Sequence, residues 1–105
     1  MKTIRLEDLE KSIADALQYV SHHHPPDYIR ALKEAYIAEE NRYAKNAILQ
    51  ILINSKLSAT ARRPICQDTG IAHVFMEIGM DVRFSSDITP MPSLQDVADN
   101  AVSAA

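Results

Sequence analysis

The hydrophobic period of this chain changes part-way along it, and that change limits what the chain can fold into. Up to Leu57 apolar side chains recur at helical spacing, whereas from Ile71 to Met80 they alternate. The pattern predicts a mainly helical α+β arrangement, with three N-terminal helices, a loop, one strand and the start of a fourth helix. Leu6, Leu9, Ile13, Ala16, Leu17 and Val20 share one side of a helix over 6–20, and Glu7, Lys11, Asp15 and Gln18 share the other. Pro25-Pro26 ends that helix, because proline lacks an N–H and biases its predecessor away from helical geometry. A second helix opens at Pro26 or Asp27, with Tyr28, Ala31, Leu32, Ala35 and Tyr36 as its stripe. A third covers 42–57 and, with its wide apolar face, is expected to be the most buried. Glu39-Glu40-Asn41 marks the break between these two, the alternative being one longer helix.

After a polar connector over 58–64, residues 71–80 read as a strand. Ala72, Val74, Met76, Ile78 and Met80 form its core-facing side, and Asp81 to Phe84 extend it. Pro90-Met91-Pro92 breaks the chain again. Ser93 is then placed as an N-cap with Asp96 as its capping-box acid, opening a helix marked by Leu94, Val97, Ala98, Ala101 and Val102. That stripe runs to Ala105 without a stop signal, so the sequence is expected to continue in the natural protein.

Composition removes several function classes. A length of 105 residues makes one domain at most. A net charge of −3 with no basic block gives no face for nucleic acid. No stretch has the length and apolarity of a membrane span or a signal peptide, so no membrane partner is expected. The single cysteine, Cys66, excludes an intramolecular disulfide and suits a reducing compartment such as the cytoplasm.

The chemistry concentrates in Arg62-Arg63-Pro64-Ile65-Cys66-Gln67-Asp68-Thr69-Gly70. Cys66 brings a soft sulfur, as metal ligand or nucleophile. Gln67 offers an amide donor for a carboxylate, and Asp68 a base, an acid or a ligand. Gly70 permits a turn with positive φ. From the residues alone the commoner reading is blander: Cys66 a small buried hydrophobe and Asp68-Thr69-Gly70 a plain turn. Arg62 and Arg63 either attract an anionic substrate or hold the loop. His22-His23-His24, followed by two prolines, reads as a solvated connector rather than a metal site. His73 reads as a packed or partly exposed strand histidine, and Tyr19, Tyr28, Tyr36 and Tyr43 as packing residues.

Arg63-Pro64-Ile65-Cys66-Gln67-Asp68-Thr69-Gly70-Ile71, with Val74-Phe75 and Gly79-Met80-Asp81-Val82-Arg83 after it, resembles the class I iron–sulfur fumarate hydratases. The iron–sulfur tartrate dehydratases share the Cys-Gln-Asp-Thr-Gly core. The likeness extends upstream through Ser12–Tyr19, His24-Pro25 and Ala47–Ser55, and so covers nearly the whole chain. It implies that Cys66 is one of three cysteine ligands of a [4Fe–4S] cluster, whose open iron acts as a Lewis acid. It implies that Gln67 hydrogen-bonds a substrate carboxylate and that Asp68 orients the hydroxyl or takes part in proton transfer. Thr69 is expected to shape the loop. The implied reaction is the reversible hydration of fumarate to (S)-malate, in an enzyme that works as a homodimer.

The other two cluster cysteines and the family's substrate-binding arginines, lysine and later threonine have no counterpart in this sequence and are expected beyond Ala105. On that expectation residues 1–105 are the N-terminal portion of an iron–sulfur hydro-lyase catalytic domain, inactive alone. Tartrate dehydration is the nearest rival, and the Gly79–Arg83 match favours fumarate. Readings from other classes are a non-catalytic helical interaction module and a stand-alone thiol or metal-binding domain using Cys66.

Overall fold

The computed structural model describes residues 1–66 and 70–105. In chain order its elements are β1 (Lys2–Arg5), α1 (Leu6–His22), α2 (Pro26–Ala38), α3 (Arg42–Ala61), β2 (Val82–Ser85) and α4 (Leu94–Ala104). They form two compact units: Tyr19 to Cys66 in one, and Met1–Gln18 with the chain from Gly70 onward in the other.

In the unit from Tyr19 to Cys66, each helix end has a local chemical cause. Pro26 takes the first helical position of α2, where a missing N–H costs nothing. Asn41 caps α3, its side-chain oxygen accepting from the N–H groups of Tyr43 (2.9 Å) and Ala44 (3.1 Å). Between them Glu39, in extended geometry, ends α2 by donating its N–H to the Ala35 carbonyl. The helices α2 and α3 pack on one another. The buried residues of α3 are Ser55 and Ser58, while Tyr43, Ile51, Ile53 and Leu57 lie exposed. The expectation that α3 is deeply buried on a wide apolar face is thus corrected. Its 20 residues find their main partner in the 13-residue α2, too little to cover such a face.

His23 and His24 lie in the connector between α1 and α2 as expected, but all three histidines are half-buried rather than solvated. His22 is the last residue of α1, and the His23 ring stacks on Tyr19 at 4.1 Å. His24 Nδ1 lies 2.9 Å from the hydroxyl of Ser55, and its ring rests against Tyr28.

In the other unit β1 and β2 pair in parallel, with Lys2 opposite Val82 and Arg5 opposite Ser85. A turn closes just before β2, where the Val82 N–H donates to the Gly79 carbonyl (3.2 Å). The Arg83 guanidinium ties it by donating to the carbonyls of Met80 and Val82, 3.0 Å each. Past β2 the Glu7 carboxylate accepts from the Ser86 hydroxyl (2.6 Å) and the Asp87 N–H (3.0 Å). Arg5 Nη2 lies 2.7 Å from Asp87. Together these bonds fasten the start of α1 to the end of β2. The capping box of α4 forms, Ser93 and Asp96 exchanging side-chain and backbone bonds at 3.1 and 3.0 Å. The buried apolar residues here are Leu6, Val97 and Ala101, the last two one turn apart on α4.

The expected strand arrangement is overturned. Residues 71–79 form no strand, and the sheet consists of β1 and β2, one at the N-terminus where no strand was expected. The physical reason is pairing. A strand exists only where a neighbour takes its N–H and C=O groups, and among the described residues nothing pairs with the backbone of 71–78. All of residues 71–80 are exposed: Val74 (37%), Met76 (39%) and Ile78 (44%) less than Ile71 (83%) and Phe75 (92%), but Met80, on the side expected to face the core, reaches 94%. Among the described residues no helix is long and apolar enough to cross a membrane.

Candidate functional site

The segment that carries Cys66 begins where α3 stops. Arg62 adopts left-handed geometry (φ 54°, ψ 46°), a conformation an L-residue enters at a cost of about 1–2 kcal/mol. Its N–H and that of Arg63 (3.1 Å) both donate to the Ser58 carbonyl, the second closing the long-range bond of a Schellman-type helix end. Pro64 follows, and it cannot continue a helix. The buried Ser58 therefore anchors the turn that throws the chain off α3.

Ile65 is fixed from both sides. Its N–H donates to the Ser21 carbonyl at the end of α1 (2.9 Å), and its carbonyl accepts from the Asn54 amide of α3 (2.8 Å). Cys66 comes next and is exposed. Val20, Ser21, Pro64, Ile65 and Cys66 line a concavity of about 260 Å³. A second, of about 380 Å³, is bounded by Asn54, Leu57, Ser58, Ala61, Arg63 and Pro64. The exposure of Cys66 overturns its reading as a buried hydrophobe. Cys66 is thus an accessible thiol lining a concavity, on a segment fixed by two helices.

Gln67 and Asp68, the expected substrate contacts, and Thr69, the expected loop-shaping residue, lie outside the described residues. Gly70 has φ 56°, the left-handed geometry anticipated for it. His73 is exposed and outside any strand, its ring stacked near Phe75 at 6.2 Å between centroids.

Among the described residues no three His, Cys, Asp or Glu side chains come together to hold a metal. Cys66 is one thiolate, and a [4Fe–4S] cluster needs several cysteine ligands. These residues therefore do not by themselves fit a cluster; they offer one candidate ligand. Sequence reasoning missed the groups that fix the segment before Cys66, which are Asn54 and the carbonyls of Ser21 and Ser58. Asn54 carried a signal, since asparagine is a poor helix former and its position inside an otherwise favourable helix asks for a specific contact. The Ser58 carbonyl, a backbone group, carried none.

The family model for fumarate hydratase (Fumerase) matches residues 10–105. A curated relative from Methanocaldococcus jannaschii, named "Putative L(+)-tartrate dehydratase subunit alpha", is 39% identical over 61 residues, which are 58% of this chain. The match spans 21% of that relative's own length. No solved structure matches.

Proposed function

Because the chain belongs to the fumarate hydratase (Fumerase) family, we propose that it serves a hydro-lyase that reversibly hydrates fumarate to (S)-malate. The observation that carries this reading is the family match, which runs through the Cys66–Gly70 block. The geometry supports it, because the one thiol of the sequence stands exposed on a segment held from two helices. In this reading Cys66 supplies one thiolate to a [4Fe–4S] cluster, and the remaining ligands come from residues outside these 105. The Gln67 amide donates to a carboxylate of the substrate. The Asp68 carboxylate orients the hydroxyl or moves the proton, as addition of water delivers O–H to one alkene carbon and a proton to the other. Both roles rest on the resemblance of the Cys-Gln-Asp-Thr-Gly block.

A second reading has its own support. The Methanocaldococcus jannaschii relative bears the name of a tartrate dehydratase subunit, and dehydration of L(+)-tartrate is the same hydro-lyase chemistry on a more hydroxylated dicarboxylate.

The test reconstitutes the protein anaerobically with iron and sulfide, together with any further subunit or sequence it requires. Fumarate, (S)-malate and L(+)-tartrate are assayed side by side, with Cys66→Ser in parallel. Fumarate hydration that disappears with bound iron in the variant is the expected result. Turnover of tartrate alone establishes the second reading. Iron bound equally by the variant removes Cys66 from the ligand set, and turnover of none of the three by the iron-loaded protein overturns the activity.

A further inference from the structure

Asparagine inside a helix needs a reason. Nothing in α3 itself calls for it at position 54, where alanine or leucine would hold the helix better. The reason lies across the turn. Asn54 Nδ2 donates to the Ile65 carbonyl at 2.8 Å, bridging eleven residues of sequence. A carbonyl oxygen only accepts, so this contact fixes which end of the amide faces it. On the other side of the same residue, the Ile65 N–H donates to the Ser21 carbonyl. Both polar groups of Ile65 are thus held, one by α1 and one by α3, and the next residue is Cys66.

We propose that Asn54 is the positioning residue of the Cys66 segment: its amide, with the Ser21 carbonyl, locks the Ile65 backbone and so fixes where the thiol is presented. The proposal rests on the reading of Cys66 as the functional thiol of this site. The Schellman-type end at Arg62 sets the direction of the chain but lies four residues before the thiol. A free turn of that length leaves the chain many backbone conformations ahead of the thiol, and the two bonds at Ile65 restrict them. Asn54 is the only side chain in this arrangement among the described residues, so it is the one that substitution reaches cleanly.

The experiment uses the 105-residue chain and its single cysteine. Asn54→Ala removes the amide while improving helix propensity. Asn54→Asp keeps the shape and loses the donor. Asn54→Gln keeps the donor on a longer arm. A nitroxide attached to Cys66 reports its motion by electron paramagnetic resonance, and hydrogen exchange reports the Ile65 amide. In Asn54→Ala and Asn54→Asp the Ile65 amide is expected to exchange faster by roughly two- to tenfold, the range that one net hydrogen bond implies. The nitroxide spectrum narrows at the same time, the amides within α3 keep their protection, and Asn54→Gln restores part of both changes. A purely structural role of Asn54 in α3 predicts the reverse, with Asn54→Ala raising helix protection and leaving the nitroxide spectrum unchanged. That result overturns the proposal, as does an unchanged Ile65 exchange rate. Neither readout uses bound iron or turnover, so failure of the hydro-lyase reading and failure of the positioning role remain separate outcomes.

Discussion

The two compact units satisfy their backbones by different means. From Tyr19 to Cys66 the ends of α2 and α3 are closed locally, by Pro26 at the start of α2, Asn41 at the start of α3, and Ser58 accepting both N–H groups of the turn that follows, with the Ile65 N–H to Ser21 carbonyl bond as the long-range exception. In the other unit the decisive bonds join residues far apart in sequence. β1 pairs with β2 some eighty residues later, and Glu7 reaches Ser86 and Asp87. Burial differs in the same sense. The helical unit buries two serines, and the other buries Leu6, Val97 and Ala101. Local capping sets where a chain turns with little need of a core, whereas distant pairing must be supported by apolar burial.

The largest expected effect tests that contrast directly. Leu6→Ala removes a side chain that is 3% exposed, and is expected to cost about 2–5 kcal/mol. Ser55→Ala removes one hydrogen-bond partner of His24 and is expected to cost about 1 kcal/mol. Urea denaturation of each variant measures both. If Ser55→Ala costs as much as Leu6→Ala, the helical unit depends on its buried polar contact more than on its caps, and the contrast fails.

The same difference decides how much could be read from the sequence. Pro25-Pro26, Asn41 and the Ser93–Asp96 box are short-range signals, each acting within one turn, and each marks a boundary in the structure. β1 has one large apolar residue, Ile4, among Lys2, Thr3 and Arg5, and its partner lies beyond the reach of any local pattern. Residues 71–80 mislead for the complementary reason. Their alternation is real, but side-chain period alone does not supply a neighbouring backbone. At the candidate site the left-handed Gly70 was legible in the sequence, whereas the exposure of Cys66 was not, since the residues alone favoured a buried thiol. Nor was the clamp on Ile65, because half of it is the main chain of Ser21.

A smaller effect compares the two left-handed residues on either side of the Cys66 segment. Gly70 has φ +56° and open space where a Cβ would stand, so Gly70→Ala meets no clash and costs about 1–2 kcal/mol through backbone conformation alone. Arg62 occupies the same region of φ,ψ space without glycine's freedom. Arg62→Gly relieves that strain, offset in part by the entropy of a freer unfolded chain, and is expected to stabilise by about 0.5 kcal/mol. Thermal denaturation that gives the two substitutions the same sign would show that one of these turns is held by something other than its own φ.

Acid should separate the units as well. The Ser86 hydroxyl bond, followed by backbone N–H bonds and the nearby Arg5 guanidinium, holds the Glu7 carboxyl below its ordinary value of 4.5. A carboxylate with a lowered folded pKa contributes its stability above the unfolded value and loses it as pH falls through the folded one. The β1–β2 end should therefore loosen below about pH 4.5, and Glu7→Gln should flatten that dependence. Hydrogen exchange at Asp87, followed against pH, is the check. An Asp87 amide equally protected at pH 3 and pH 6, roughly one to two units either side of that value, would mean that Glu7 does not fasten this corner.

The smallest stability change belongs to the segment that failed to form a strand, and it is informative because it is small. Phe75 is 92% exposed, so Phe75→Ser should alter unfolding free energy by less than about 0.5 kcal/mol. Its effect should appear in self-association instead. Residues 71–80 are apolar and alternating, carry Glu77 as their one acidic residue, and have no ladder, which are the properties of a chain edge that recruits another strand. Sedimentation at rising concentration should show less association for the variant than for the parent chain. A destabilisation of 1 kcal/mol or more, about the average cost of a substitution, would instead mean that Phe75 is covered in solution. The distinction between a unit closed by caps and one closed by distant pairing would then extend to residues 71–80 as a third paired segment.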